Sequence, residues 1–213
     1  MAHEAETIEN MRKIGIICMT LGLVLIAAAI GLLSYNHWEN ERAGDSAASV
    51  VDALEEYLES VETQDVSVDS GDSNENDGME MMEVDGNGYI GTLTIPTLNL
   101  ELPIQAEWSY AGMKIAPGRY AGSVWTDDMV ICGHNYARHF GNLKYLEAGD
   151  TLYFTDINGN TFHYAVEEIL TLAPTDTDVM IEDTGEWDLT MFTCTLSGQA
   201  RVTVRCVRTD KQT

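Results

Sequence analysis

Basic residues are scarce in this chain: 11 Lys and Arg stand against 35 Asp and Glu, a formal charge of −24 over 213 residues. No basic patch interrupts the excess, so the chain repels phosphate backbones and nucleic-acid binding is excluded as a first reading. Cysteine is thin as well. Cys18, Cys132, Cys194 and Cys206 lie far apart and form no CxxC pair, which excludes a small disulfide scaffold and a zinc ribbon. The composition of a wholly disordered chain is also missing, since 45% of the residues are apolar. The length suits one sizeable domain, or at most two small ones.

The first thing present is a long apolar run. Ile14 to Tyr35 is 22 residues without a charge, and at ~1.5 Å per residue a helix of that length crosses the ~30 Å hydrocarbon core. A buried core helix would be amphipathic, and this run is apolar all round. Tyr35 and Trp38 fall where an interfacial aromatic belt belongs. A cleaved signal peptide has a shorter apolar region and an AxA-like site, which is lacking here, so the segment is expected to be an uncleaved transmembrane anchor over 14–35. Arg12 and Lys13 precede it and only Arg42 follows closely, which puts residues 1–13 in the cytoplasm and the rest outside. Membrane lipid is thus one expected partner.

Residues 39–88 hold sixteen acids and one base. Val50, Leu54, Tyr57, Leu58 and Val61 recur at helical spacing, predicting an amphipathic juxtamembrane helix over 44–62, capped by Asp45 or Ser46. Residues 63–88 lack periodicity and read as a flexible acidic spacer that anionic headgroups repel. Together, 36–88 form the juxtamembrane helix and spacer, and 89–213 the folded domain.

From Tyr89 the period becomes two. Strands are predicted over 89–95, 98–105, 128–134, 150–155, 161–172, 187–194 and 200–207, with Asn158-Gly159 as a hairpin turn and a short helix over 138–147. Seven or eight short strands with few helices imply an all-β barrel or sandwich, and closure of a barrel would remove exposed edges.

Three residues in this domain carry chemistry. Cys194 ends an apolar strand where the chain enters a polar loop, and His134 ends another after Gly133. Arg201 opens the last strand, seven residues after Cys194, so a hairpin returns it beside the thiol. A thiolate to attack a carbonyl, an imidazole to move a proton and a guanidinium to stabilise an oxyanion suffice for acyl transfer. Spacing alone leaves the bland alternative open, because cysteine is often simply buried and a lone histidine is often structural.

Other residues carry weaker signals. Arg205 is an even number of residues along from Arg201 and shares its face, where a solvated surface arginine is the plainer reading. Cys132, His134 and His139 lack regular zinc spacing and a fourth ligand, so no metal site is assigned. Cys132 and Cys206 are expected in the core, Cys18 in the membrane. Trp108, Tyr110 and Trp125 either line a peptide site or fill barrel ends. The acids Asp176, Asp178, Glu182, Asp183 and Glu186 read first as an exposed mobile loop, with calcium the one cofactor left open there.

From Gly91 to Arg208 the chain resembles the sortases, membrane-anchored cysteine transpeptidases of Gram-positive bacteria. The matching pieces are Thr94-Ile95-Pro96, Leu102-Pro103-Ile104, Gly133-His134-Asn135, Thr190-Met191-Phe192-Thr193-Cys194 and Arg201. Met191 replaces the usual Leu, an apolar swap of similar volume, and the interval from Cys194 to Arg201 is short for the family. The resemblance implies a closed eight-stranded β-barrel and transpeptidation without a required cofactor. Cys194 would be the nucleophile, His134 the general acid and base, and Arg201 the oxyanion or substrate stabiliser. The implied partners are an LPXTG-like sorting signal of secreted surface proteins and an amine on a peptidoglycan precursor or pilin. The alternative is a membrane-tethered β-barrel binding module without catalysis. Hydrolysis of the acyl-enzyme differs only in what resolves it.

Overall fold

The structure, a computed structural model, describes residues 2–63, 78–176, 179, 185–195 and 197–211. The chain forms two compact units, Met1–Glu41 and Arg42–Thr213. One helix, α1 (Ala2–Thr63), supplies the first unit and enters the second. Within the first unit the side chains of Ile16, Leu21, Leu25 and Leu33 are all exposed. The segment is long and apolar enough to cross a membrane, and a single N-terminal apolar helix of this kind fits a membrane anchor.

The second unit is a β-barrel. Its strands are β1 (Met82–Val84), β2 (Asn87–Ile95), β3 (Leu100–Gln105), β4 (Gly118–Ala121), β5 (Met129–Gly133), β6 (Thr151–Asp156), β7 (Thr161–Leu172), β8 (Leu189–Cys194) and β9 (Arg201–Arg208). They follow the order β1-β2-β3-β4-β5-β8-β9-β7-β6, and β6 pairs back onto β2. The eight strands β2 to β9 therefore close, and β1 is an added arm on β2. Closure leaves those strands without a free edge along the ladder.

Alternation builds the interior. Leu93 and Ile95, Leu102 and Ile104, Met129 and Ile131, Leu152 and Phe154, Tyr164 and Val166, Leu189 and Met191, Val204 and Cys206 are buried. Each pair is spaced by two along its strand, so each strand turns one face inward. The registers agree: Leu93 lies opposite both Leu102 and Phe154, and Met191 opposite both Ile131 and Val204. At Gly91 the β2–β3 ladder slips a residue. There φ is +150°, and a Cβ would run into the Thr155 carbonyl, so only glycine fits the bulge.

Several expectations need correction. Asp45 and Ser46 lie inside α1 and cap nothing, because the helix runs through from the apolar segment without a break. Ala43, Ala47, Val50, Val51 and Leu54 are buried, a helical stripe that covers Tyr89, Ala116 and Ile157. Tyr57 and Leu58 are half-buried, and Val61 lies outside the described side chains. Part of the stretch expected as spacer is strand: β1 lies within its bounds, joined to β2 through Asp85 and Gly86, both at positive φ. An Asp-Gly pair at that position is a hairpin turn, and Met82 and Val84 gain an apolar partner by packing on the α1 cluster. Residues 64–77 lie outside the described residues. In the β6–β7 hairpin only Gly159 takes positive φ. The Asp156 carboxylate accepts from the backbone N–H groups of Asn158 and Asn160 and fixes a longer turn. The helix expected over 138–147 is a 3-10 turn, Phe140–Tyr145.

Candidate active site

Strand register decides which side chains meet. β5 and β8 run parallel, with Cys132 opposite Phe192 and Gly133 opposite Thr193. Parallel strands end at the same edge, so one residue beyond the last ladder pair stand His134 and Cys194. The Thr193 hydroxyl donates to the Gly133 carbonyl at 2.8 Å and ties the two strand ends together. On the other side of β8, antiparallel β9 sets Arg201 directly opposite Cys194. Such pairs hold their Cβ atoms about 4.5–5.5 Å apart. The structure thus brings Cys194, His134 and Arg201 to one end of the barrel, from three strands.

Exposure separates the thiols. Cys194 is exposed, whereas Cys132 and Cys206 are buried and form no disulfide. Cys132 shares its face with Phe192, and its thiol meets the Met113 sulfur at 3.7 Å. Burial pushes the Cys132 thiol up to about 12, with the neighbouring Cys194 adding to the effect. Burial also raises that of Cys206. Neither buried thiol supplies thiolate near neutral pH, so among these three only Cys194 is presented to a substrate.

Arg201 donates through one guanidinium nitrogen to the carbonyls of Gly198 and Ala200, at 3.3 and 3.2 Å. In this arrangement the head group is folded against its own loop, over the hairpin that begins at Cys194. Arg205 is not the solvated arginine expected. It pairs with Glu168 at 3.3 Å, donates to the Val179 carbonyl at 3.0 Å and lies over the Trp187 ring at 5.1 Å. Its side chain is only 14% exposed. It ties Val179 and Trp187, which lie between β7 and β8, to the sheet. Of the acids in that connection, Asp178, Glu182 and Asp183 lie outside the described residues. Among the described residues no group of three or more His, Cys, Asp and Glu side chains is arranged to hold a metal.

The aromatics divide into two groups. Trp108 stacks on Tyr120 at 5.3 Å and meets Tyr110 edge-on at 5.4 Å, and Tyr120 meets Phe192 at 5.3 Å. Phe192 precedes Cys194 by two and shares its face, so this strip leads away from the thiol across the outer surface of β8, β5 and β4. A shallow cavity lined by Glu107, Trp108, Arg119 and Tyr120 lies along it. Trp125 packs instead on Phe162, which Arg208 covers from 4.6 Å. Sequence reasoning found neither Tyr120 nor Phe192, although Phe192 could have been read from its even spacing to Cys194.

The loop after β5 is closed on itself. Phe140 donates its N–H to the His134 carbonyl at 3.2 Å, and His139 and Gly141 donate theirs to Tyr136 at 2.9 Å. Gly133 admits Phe140 closely, for a Cβ there would lie 2.8 Å from the ring. The His134 and Tyr136 rings are 4.9 Å apart, and Tyr136 and His139 are 5.6 Å apart. His139 is fully buried, a placement its weighing as a metal ligand does not anticipate.

Comparison with known proteins agrees with this architecture. The Sortase domain family matches residues 93–209. Sortase A of Bacillus anthracis is 24% identical over 190 residues, spanning 87% of this chain and 89% of that protein. Sortase C1 of Streptococcus suis superposes with a TM-score of 0.50 at 27% identity, covering 58% of this chain and 74% of that one. Sortase C1 of Streptococcus agalactiae gives 0.53 at 24%, covering 78% and 90%. With a closed eight-stranded barrel behind an N-terminal apolar helix, and a family match over more than half its length, this chain belongs to the sortase family, whose members are cysteine transpeptidases.

Proposed function

We propose that this protein is an anchored transpeptidase whose barrel lies outside the cell. It cleaves an LPXTG-like sorting signal and joins the acyl part to an amine on a peptidoglycan precursor or pilin. The observation that carries the reading is the register: one exposed thiol flanked by His134 on the β5 side and Arg201 on the β9 side.

The reaction proceeds in two halves. The Cys194 thiolate attacks the Thr carbonyl of the signal, and the electron pair moves onto oxygen. The oxyanion collapses, the Thr–Gly bond breaks, and the leaving glycine amine takes a proton from the His134 imidazolium. A thioester remains on Cys194. The acceptor amine then attacks that carbonyl while His134 takes its proton, and the thiolate leaves. Arg201 stabilises the oxyanion in both halves once its guanidinium turns from the Gly198 and Ala200 carbonyls toward substrate. Loss of one such donor costs about 10²–10³ in rate. The aromatic strip from Phe192 to Trp108 gives an extended peptide a surface to lie on.

The test is a product assay on the full chain in detergent, with LPXTG-like peptides and amine acceptors. Wild type is expected to give the ligated product, and Cys194→Ala none. Peptide binding without any cleavage by wild type would favour the binding module. Cleavage that added amine never diverts would favour a hydrolase.

A further inference from the structure

We infer that the membrane-proximal part of α1 belongs to the catalytic machinery: its Ala43 carbonyl holds His139, which through the Tyr136 ring fixes the position of His134. The inference rests on the proposed roles of His134 and Cys194 and adds a positioning residue to them.

The contact is specific. His139 Nε2 lies 3.3 Å from the Ala43 carbonyl oxygen. A carbonyl only accepts, so Nε2 carries the hydrogen and Nδ1 is left as the lone-pair nitrogen. That Nδ1 is buried without a hydrogen-bond partner. The neutral ring thus donates to a helix 96 residues away in sequence, and the Ile115 backbone is its other polar neighbour. An unpaired buried acceptor is costly, and packing alone would place an apolar side chain there without that cost.

The helix is shaped for the approach. Ala43, Gly44 and Ala47 are buried, and a Cβ on Gly44 would collide with the Arg138 side chain. Small residues here let the loop lie against the helix backbone. From His139 the contacts run ring to ring, through Tyr136 to His134, at 5.6 and 4.9 Å. Backbone hydrogen bonds from Phe140 to His134 and from His139 to Tyr136 close the loop, so it moves as one piece. If the pin is removed, the whole piece shifts and carries the imidazole with it.

The experiment uses the full chain in detergent micelles with His139→Phe, which keeps a ring but not the donor, and His139→Gln, which offers an N–H near the Nε2 position. Two readouts are taken: peptide turnover, and the His134 Cε1–Hε1 cross-peak in spectra of histidine-labelled protein, which the Tyr136 ring current displaces. A sub-ångström shift of a catalytic group costs on the order of tenfold. His139→Phe is expected to lose about that factor in kcat with KM within about twofold, and to move the His134 cross-peak. His139→Gln is expected to recover most of both, and Tyr136→Leu to move the cross-peak as His139→Phe does. The inference is overturned if His139→Phe turns over like wild type with the cross-peak unmoved. It is equally overturned if both His139 variants lose activity through lower melting points while the folded fraction keeps the wild-type cross-peak. If wild type itself makes no product, the functional reading fails, and the cross-peak still decides whether His139 positions His134.

Discussion

His139 is a buried imidazole, and burial sets its chemistry. Desolvation lowers its pKa from 6.5 to about 4, positive charge at His134 and Arg138 acts the same way, and the backbone at Ala43 and Ile115 opposes this only in part. The folded value lies below the unfolded one, so between these values the unfolded chain binds more protons and stability rises with pH. Its contribution is present above about pH 6.5 and is lost as pH falls toward 4. In urea unfolding of the barrel at pH 7 and pH 4.5, wild type is expected to lose about 2 kcal/mol more on acidification than His139→Phe, since each tenfold change in proton affinity corresponds to about 1.4 kcal/mol. Equal losses would mean that the ring is hydrated in the folded protein. The burial could not be read from the sequence, where His139 falls in the short helix expected over 138–147 and is weighed only as a metal ligand. Cys194 was legible because a polar loop follows an apolar strand there, and His134 because a glycine and a strand end precede it. The fastening of Arg205 was not, because Glu168 lies 37 residues away and only the β7–β9 pairing unites them.

Among the elements, strands with strict alternation were the legible ones. β7 matches its expected bounds, and six others lie within two residues of theirs. β4 escaped because Gly118–Ala121 is only four residues long, follows a proline and carries two small residues, so no period of two develops. β1 escaped because Met82 and Glu83 look like the acidic, methionine-rich run before them, and its apolar partners come from α1. The juxtamembrane helix has no start of its own, being continuous with the apolar segment. The charged stretch after Trp38 suggests a break, yet Glu, Arg and Ala there are good helix formers and nothing interrupts the chain. Beyond that stretch the buried stripe has consequences for stability. Leu54 is 2% exposed, packed with Val50, Tyr89 and Ile157. Leu54→Ala is expected to cost about 2–4 kcal/mol, read as a lower urea midpoint of the barrel. Asp52→Ala on the exposed side should change it by less than about 0.5 kcal/mol. An unchanged midpoint in Leu54→Ala would mean that the juxtamembrane helix does not pack on the barrel in solution.

For the molecule as a whole, sequence order and spatial order diverge, and the site lies where they do. Strands β2 to β5 follow the chain, but β8 then inserts beside β5 and β9 beside β8. That crossover makes β5 and β8 parallel and gives His134 and Cys194, 60 residues apart, a shared edge. Strand count and composition reached an all-β barrel or sandwich, and the resemblance to sortases singled out the closed barrel. The crossover was not readable, because parallel pairing leaves no local signature. The acidic excess belongs largely to the stretch between the apolar segment and the barrel.

Everything proposed for the site turns on Cys194 carrying the acyl group. The most direct test is to acid-quench the full chain minutes after mixing with an LPXTG-like peptide, without amine, then to weigh the intact protein and map the adduct. The expected adduct is the signal cut after its Thr, located on the peptide containing Cys194, released by hydroxylamine and absent from Cys194→Ala. Cleaved peptide accumulating with no adduct on Cys194, or an adduct that persists in Cys194→Ala, would contradict that role.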